Sequence, residues 1–243
     1  MLKEALFVVS ALLAVAAAGP LAKGGAKEGV IYANLYKDID EHGEMLHLTG
    51  YAQSLDLYGF NDEVESTCLN GMWIFYEHDE YNAESGLVYW IIGINYCTTF
   101  DIPERNIFSS IKFVGSSNAL NADTFTLYQG TYFSGMEKYT IEDIPDLGAF
   151  SNLASSAIVT GSSPWTLYSG SGYTGTAVCL YPDTDSISVN DQAITVGAHG
   201  QLAYYGLDNN VRSVAKGCYS KNIVKAELTP QGSSSNGAWG KFA

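Results

Sequence analysis

The chain is short of proline, of basic residues and of long apolar runs, and each scarcity narrows what it can be. Only 6 prolines stand among 243 residues, while many of the 17 tyrosines and 10 phenylalanines fall in short alternating runs. That pattern reads as strand-rich. Lysine and arginine number 12 against 26 acidic residues, a formal net charge of −14. Such a field repels nucleic acid and anionic lipid and favours cations or basic partners, and it also keeps a secreted protein soluble. The acids concentrate early: residues 31–119 hold 14 acids and three bases, residues 120–224 nine and four. No Asn-x-Ser/Thr sequon occurs, so N-glycosylation is not expected. Helical periodicity is absent except in short pieces such as Asp143–Leu147.

One apolar run exists, at the start. Met1 to Glu4 carries a lysine, Ala5 to Ala18 is apolar apart from Ser10, and Ala16-Ala17-Ala18 precedes Gly19. This is the pattern of a secretory signal peptide over residues 1–18. A membrane span needs about 20 apolar residues, more than this run supplies. Residues 19–30 then read as a flexible leader, and the mature chain is expected to be soluble, secreted and extracellular.

What is present is a repeat. Four stretches carry an apolar run ending in tyrosine, a residue five positions later that is aromatic in three of them, and a further position two on that is glycine in three. They are Tyr36/Glu41/Gly43, Tyr76/Tyr81/Ala83, Tyr128/Phe133/Gly135 and Tyr168/Tyr173/Gly175. The lead tyrosines are 40, 52 and 40 residues apart. Paired spacing repeated once predicts two domains of two motifs each, because one supersecondary unit cannot bury its own apolar face. Glycine suits a strand folding back through positive φ, and the aromatic would cover that turn. Downstream of each hairpin lies a six-residue segment ending in serine: Asn61–Ser66, Arg105–Ser110, Ser151–Ser156 and Asp208–Ser213. The serine hydroxyl can tie a hairpin's backbone and satisfy groups that a folded-over turn leaves open.

The four cysteines, Cys68, Cys97, Cys179 and Cys218, fall two in each half. In an oxidising compartment an even count implies bridges, and four cysteines allow three connectivities. The division into halves favours Cys68–Cys97 and Cys179–Cys218. Their spacing is too wide for a CxxC pair, and no histidine stands near them at ligand spacing, which argues against a metal held by cysteine.

Together these features resemble the βγ-crystallin family. Trp73-Ile74-Phe75-Tyr76-Glu77-His78-Asp79-Glu80-Tyr81 is similar to a second-motif crystallin hairpin, and Trp165–Tyr168 through Tyr173-Thr174-Gly175 repeats it. The resemblance covers about residues 31–219. It implies an all-β fold of two βγ-crystallin-like Greek-key β-sandwich domains, residues 31–117 and 122–224. By composition, with its Gly232-Ser233-Ser234-Ser235-Asn236-Gly237 stretch, the segment 225–243 reads as a flexible tail. Glu41 and Ala83 depart from the pattern, and the fourth motif carries a longer excursion between Gly175 and Asp208.

The same resemblance implies a chemistry, calcium binding. In calcium-binding members two Asn/Asp residues, two variable ones, Ser/Thr and Ser supply main-chain and hydroxyl oxygens, joined by a carbonyl from a partner hairpin; such hard oxygens suit Ca²⁺. Carried over residue by residue, Ser109 and Ser155 keep the fifth-position hydroxyl, and Asp62, Asn106 and Asn152 keep the second position. Glu65 replaces a hydroxyl by a carboxylate, Glu77 adds acidity from the facing hairpin, and Arg212 would place a positive charge in its site. The expected metal residues are therefore Asp62, Glu65, Glu77, Asn106, Ser109, Asn152 and Ser155, with calcium bound weakly and in the first half.

Catalysis finds no constellation. His42, His47, His78 and His199 form no HExxH arrangement, and no Gly-x-Ser-x-Gly elbow occurs. Adjacent carboxylates such as Asp62-Glu63 and Asp79-Glu80 point apart on a strand or turn. The expectation is a non-enzymatic secreted structural protein with weak calcium binding; the alternative is an extracellular binding module for a glycan or protein partner.

Overall fold

A computed structural model describes residues 31–182, 187–225 and 228–242. The expected signal peptide and leader lie outside the described residues. The first half carries strands β1 (Tyr32–Tyr36), β2 (Met45–Leu48), β3 (Ser66–Tyr76), β4 (Val88–Thr99) and β5 (Ser110–Val114). The second carries β6 (Thr124–Tyr128), β7 (Glu137–Thr140), β8 (Ser156–Thr160), β9 (Trp165–Gly170), β10 (Thr174–Tyr181), β11 (Ile187–Val189), β12 (Gln192–Ile194), β13 (Val196–His199) and β14 (Ser213–Lys216). After these come β15 (Ile223–Lys225), β16 (Gly232–Ser233) and β17 (Gly237–Phe242). Among the described residues no helix is long and apolar enough to cross a membrane.

The sheets interlock as Greek keys. In the second half one sheet runs β13-β8-β6-β7 and the other β14-β9-β10-β15. β13, from the fourth motif, joins the sheet of the third. In return Ile144, from the third motif, bridges Val214 on β14. This crossing overturns the expectation of helix at Asp143–Leu147: the segment forms no helix, because the Ile144 N–H and carbonyl are spent on Val214 of β14. In the first half the corresponding crossing is the Ala52–Ile111 bridge.

Packing follows the two-residue period of a strand. On β3, Trp73 and Phe75 point into the core of the first half with Tyr89, Ile91, Phe100 and Phe108. Met72, Ile74 and Tyr76 point the other way. They join Trp90, Ile92 and Val114, and across from them Tyr128, Phe133, Ile158 and Val196 of the second half. A third cluster around Phe125, Leu127, Trp165, Leu167 and Val214 fills the second half. The continuous apolar run Met72–Tyr76 is thus a strand buried on both faces. The polar stretch between the halves is closed by a Ser116–Ala119 bridge, and Leu120 packs against both neighbouring cores.

Residues 225–243 were expected as a flexible tail, and the described part of that segment is built into the fold. β15 ends in it and pairs parallel to the edge of β10. β17 crosses back and pairs antiparallel with β4 of the first half, Gly237 opposite Gly93 through Phe242 opposite Val88. Composition misled here, because the Gly232–Gly237 stretch that looks like a linker supplies β16, the hairpin turn and the first residue of β17, the strand that carries Trp239 and Phe242. The bridges are Cys68–Cys97, on directly opposed positions of β3 and β4, and Cys179–Cys218.

The repeat is a real backbone repeat. Tyr76–Tyr81, Tyr128–Phe133 and Tyr168–Tyr173 place their rings 5.7, 5.6 and 5.7 Å apart at 62°, 66° and 64°. The covering residue itself adopts positive φ, and so does Glu41 in the first motif. Glycine serves the position two further on, with φ of 78°, 71° and 82° at Gly43, Gly135 and Gly175. The second hairpin solves the lack of glycine by lengthening. Tyr36, Tyr128 and Tyr168 pair with Met45, Glu137 and Ala177, nine positions on, whereas Tyr76 pairs with Val88, twelve positions on. Asn82 takes the positive φ one residue early, and its amide bridges His78 N and the Leu87 carbonyl.

All four terminal serines tie turns. Ser66, Ser110, Ser156 and Ser213 donate to the carbonyls of Asp38, His78, Gly130 and Gly170 at 2.6–2.7 Å. Each hydroxyl also accepts from the N–H of Glu41, Tyr81, Phe133 or Tyr173. One side chain satisfies a donor and an acceptor that the folded-over turn would otherwise strand.

Candidate metal centre

The six-residue segments meet in pairs, one from each motif of a half. Asp62, Asn106, Asn152 and Asn209, at the second position, all adopt positive φ of 49–61°, a conformation that Asn and Asp tolerate better than other side chains. Their N–H groups donate to the carbonyls of Phe108, Val64, Val211 and Ala154, the fourth position of the partner segment. The fifth-position N–H of Glu65, Ser109, Ser155 and Arg212 donates to the lead tyrosine of its own hairpin. Each half therefore holds two related slots. A slot is framed by the residue after a lead tyrosine, a fifth-position side chain, and a second-position residue from the other motif.

The slots differ in chemistry. In the one behind Tyr76, Ser109 Oγ donates to the Glu77 carbonyl at 2.8 Å and lies 3.4 Å from Asp62 Oδ1. Ser109 is buried at the back and Asp62 is exposed at the mouth. Oxygens sharing one Ca²⁺ at about 2.4 Å stand roughly 3 Å from their neighbours in the shell, so this carboxylate, hydroxyl and carbonyl have spacing and hardness that fit the ion. Glu77 takes part through its backbone, since its carboxylate turns away and accepts from Leu87 N at 2.7 Å.

The other three fit less well. Behind Tyr36, Asn106 Nδ2 donates to Glu65 Oε1 at 2.8 Å, and an amide turned over would be needed to present its oxygen. Lys37, the residue after Tyr36, is paired with Glu44 and Glu63. Behind Tyr128 the slot is framed by Ser155 and Asn209, both neutral and without a carboxylate. Behind Tyr168, Arg212 Nε donates to Asn152 Oδ1 at 3.2 Å, so a guanidinium takes the place a cation would need.

The structure thus unites Asp62, Ser109 and Glu77, pairs Glu65 with Asn106, and parts Asn152 from Ser155, which serve different slots. Asn209 is a framing residue outside the expected set. Its signal is the reciprocity of the motifs: each second-position residue serves its partner's slot. The cysteines near Glu41 are closed as Cys68–Cys97 and offer no thiolate.

The chain has the βγ-crystallin fold. Geodin, a βγ-crystallin from Geodia cydonium, superposes with a TM-score of 0.58 at 17% identity, over 77% of this chain and 99% of that one. A βγ-crystallin from Ciona intestinalis matches 38% of this chain and 98% of its own at 21% identity and a TM-score of 0.31. Protein S, solved in complex with calcium, matches 77% and 99% at 16% identity and a TM-score of 0.28. No family model and no curated protein matches the sequence.

Proposed function

We propose that the protein is a secreted, non-enzymatic βγ-crystallin-type protein that binds calcium weakly through one slot, built from Asp62, Ser109 and the Glu77 carbonyl. The observation that carries this reading is the convergence of three hard oxygens from two motifs on one exposed mouth. With one carboxylate in the set, affinity falls in the range of extracellular modules, about 10⁻⁴–10⁻³ M. The two bridges accord with an oxidising compartment. Calorimetric titration tests it: the chain takes up calcium at millimolar concentration, and Ser109→Arg abolishes the heat. No heat, together with a melting curve unmoved by millimolar calcium, sinks the proposal.

A second reading, an extracellular binding module, rests on a cleft of about 520 Å³ where the halves meet, lined by Tyr51, Gln53, Glu80, Tyr81, Gln129 and Glu137 among others. Aromatic faces beside amides and carboxylates suit a sugar ring. Saccharide-dependent tyrosine fluorescence, lost in Tyr81→Ala, would support it.

A further inference from the structure

β4 is a long strand, apolar on both faces along its first half. Val88, Tyr89, Trp90, Ile91 and Ile92 are all buried, and a strand of that kind left at a sheet edge is a template for pairing with another chain. β3 covers one side of it. Along Val88–Gly93 the other side is covered by β17, whose six residues pair in unbroken register.

The fit is more selective than backbone pairing alone. Trp239 stacks on Tyr89 at 5.4 Å and 13°, and Lys241 pairs with Glu104, on one face of the strand. On the other face Phe242 stacks on Tyr132 of the second half at 5.0 Å and 11° and meets Phe133 edge-on at 5.6 Å. Between them the glycines are obligatory. A Cβ at Gly240 would lie 2.7 Å from the Trp90 indole, and one at Gly237 would run into the Tyr96 ring. Gly237-Ala238-Trp239-Gly240-Lys241-Phe242 is therefore read as a pattern: small where the rings of β4 crowd, aromatic or cationic where a partner waits. Backbone bonds supply affinity and alternate side chains specificity, the mode of strand addition.

Apart from β4, the only strand that pairs with β17 among the described residues is β16, its own hairpin partner. We infer that the β4 edge is a strand-acceptor site for the β16–β17 hairpin of this sequence, filled by the chain's own tail when dilute and by the tail of a second copy when concentrated, giving a strand-exchanged dimer. Every contact made in cis is available in trans, so exchange is decided by concentration, as for other elements swapped between protomers.

The test uses the full chain and a synthetic peptide of residues 231–242. Gly240→Val in the protein ejects its tail, and the folded variant then binds the wild-type peptide. The unaltered protein binds it roughly tenfold or more weakly, because a tethered tail competes at an effective concentration near millimolar. The peptide bearing Gly240→Val binds neither. A folded Gly240→Val chain that ignores the wild-type peptide overturns the inference. Should that variant fail to fold, mixed isotope-labelled and unlabelled native protein decides: after incubation at high concentration, zero-length cross-links between Lys241 and Glu104 join labelled to unlabelled chains if tails exchange. Cross-links confined to chains of one label overturn it.

Discussion

Lys112 and Glu137 face each other across the two halves of the chain, Nζ to Oε2 at 3.2 Å, with the lysine side chain wholly buried. The ammonium lies over the rings of Tyr81, Tyr128 and Tyr76 at 4.5, 4.7 and 5.4 Å and donates to the Gly135 carbonyl at 3.3 Å. Tyr51 donates to the other oxygen of Glu137 at 2.7 Å. Burial lowers the Lys112 pKa and Glu137 works against that shift. The cation is thus held where rings of both halves meet, and it ties the contact between them to one register.

Removing one partner of such a pair leaves the other charge without compensation. Lys112→Met is expected to destabilise the protein by roughly 3 kcal/mol in urea denaturation, the low end of the range because Glu137 keeps 19% of its side-chain exposure. Adding Glu137→Gln to it should restore much of the loss. A single mutant as stable as the wild type would show that the pair does not hold the halves together.

The calcium slot separates side chains from backbone. Asp62→Asn keeps the positive φ and removes the charge, so calcium affinity falls, whereas Glu77→Gln leaves it near the wild-type value because only the Glu77 carbonyl faces the slot. Arg212→Ser does not weaken binding, and it frees Asn152 in the fourth slot. Calorimetry of the three variants distinguishes these outcomes.

His199 is 1% exposed, with Nδ1 3.3 Å from the Tyr205 hydroxyl and Nε2 3.4 Å from the Tyr181 carbonyl. Burial lowers its pKa to about 4 from an ordinary 6.5. Between those values the unfolded chain binds the proton more readily, so the stabilisation is full above pH 6.5 and is lost as pH falls toward 4. The loss is ~3 kcal/mol over that window. Unfolding free energies measured at pH 7 and pH 4.5 should differ less in His199→Gln than in the wild type; an equal difference would remove His199 as the cause.

Ser156→Ala would strand the Phe133 N–H and the Gly130 carbonyl together. The buried Phe133 N–H left without a partner costs about 1–3 kcal/mol and the half-buried Gly130 carbonyl less, so a loss of roughly 2 kcal/mol in thermal or urea unfolding is expected. A change within 0.5 kcal/mol would mean that the turn finds other partners.

The 40–52–40 spacing and the serine at the end of each segment are local patterns that the amino-acid sequence displays directly, and the serines do tie the turns. The substitution of Ala83 for glycine is equally visible there, but its remedy, three extra residues and a positive φ at Asn82, depends on where β4 begins. Asp62, Ser109 and Glu77 are each legible as candidates. Their grouping is not, since the second-position residue serves the other motif's slot and the Glu77 carboxylate folds back onto its own hairpin.

Strand periodicity, the repeat, the turn chemistry and the set of oxygen donors are all properties of the linear chain, because each depends on residues a few positions apart. Three outcomes belong to the packed molecule instead: the tail becomes β17, Lys112 is buried among tyrosines from both halves, and one slot of four gathers a carboxylate, a hydroxyl and a carbonyl. Asp62 and Ser109 are 47 positions apart in the chain, and Val88 and Phe242, paired across β4 and β17, are 154 apart. Such meetings depend on which apolar faces find each other when the sheets pack, which no local pattern encodes.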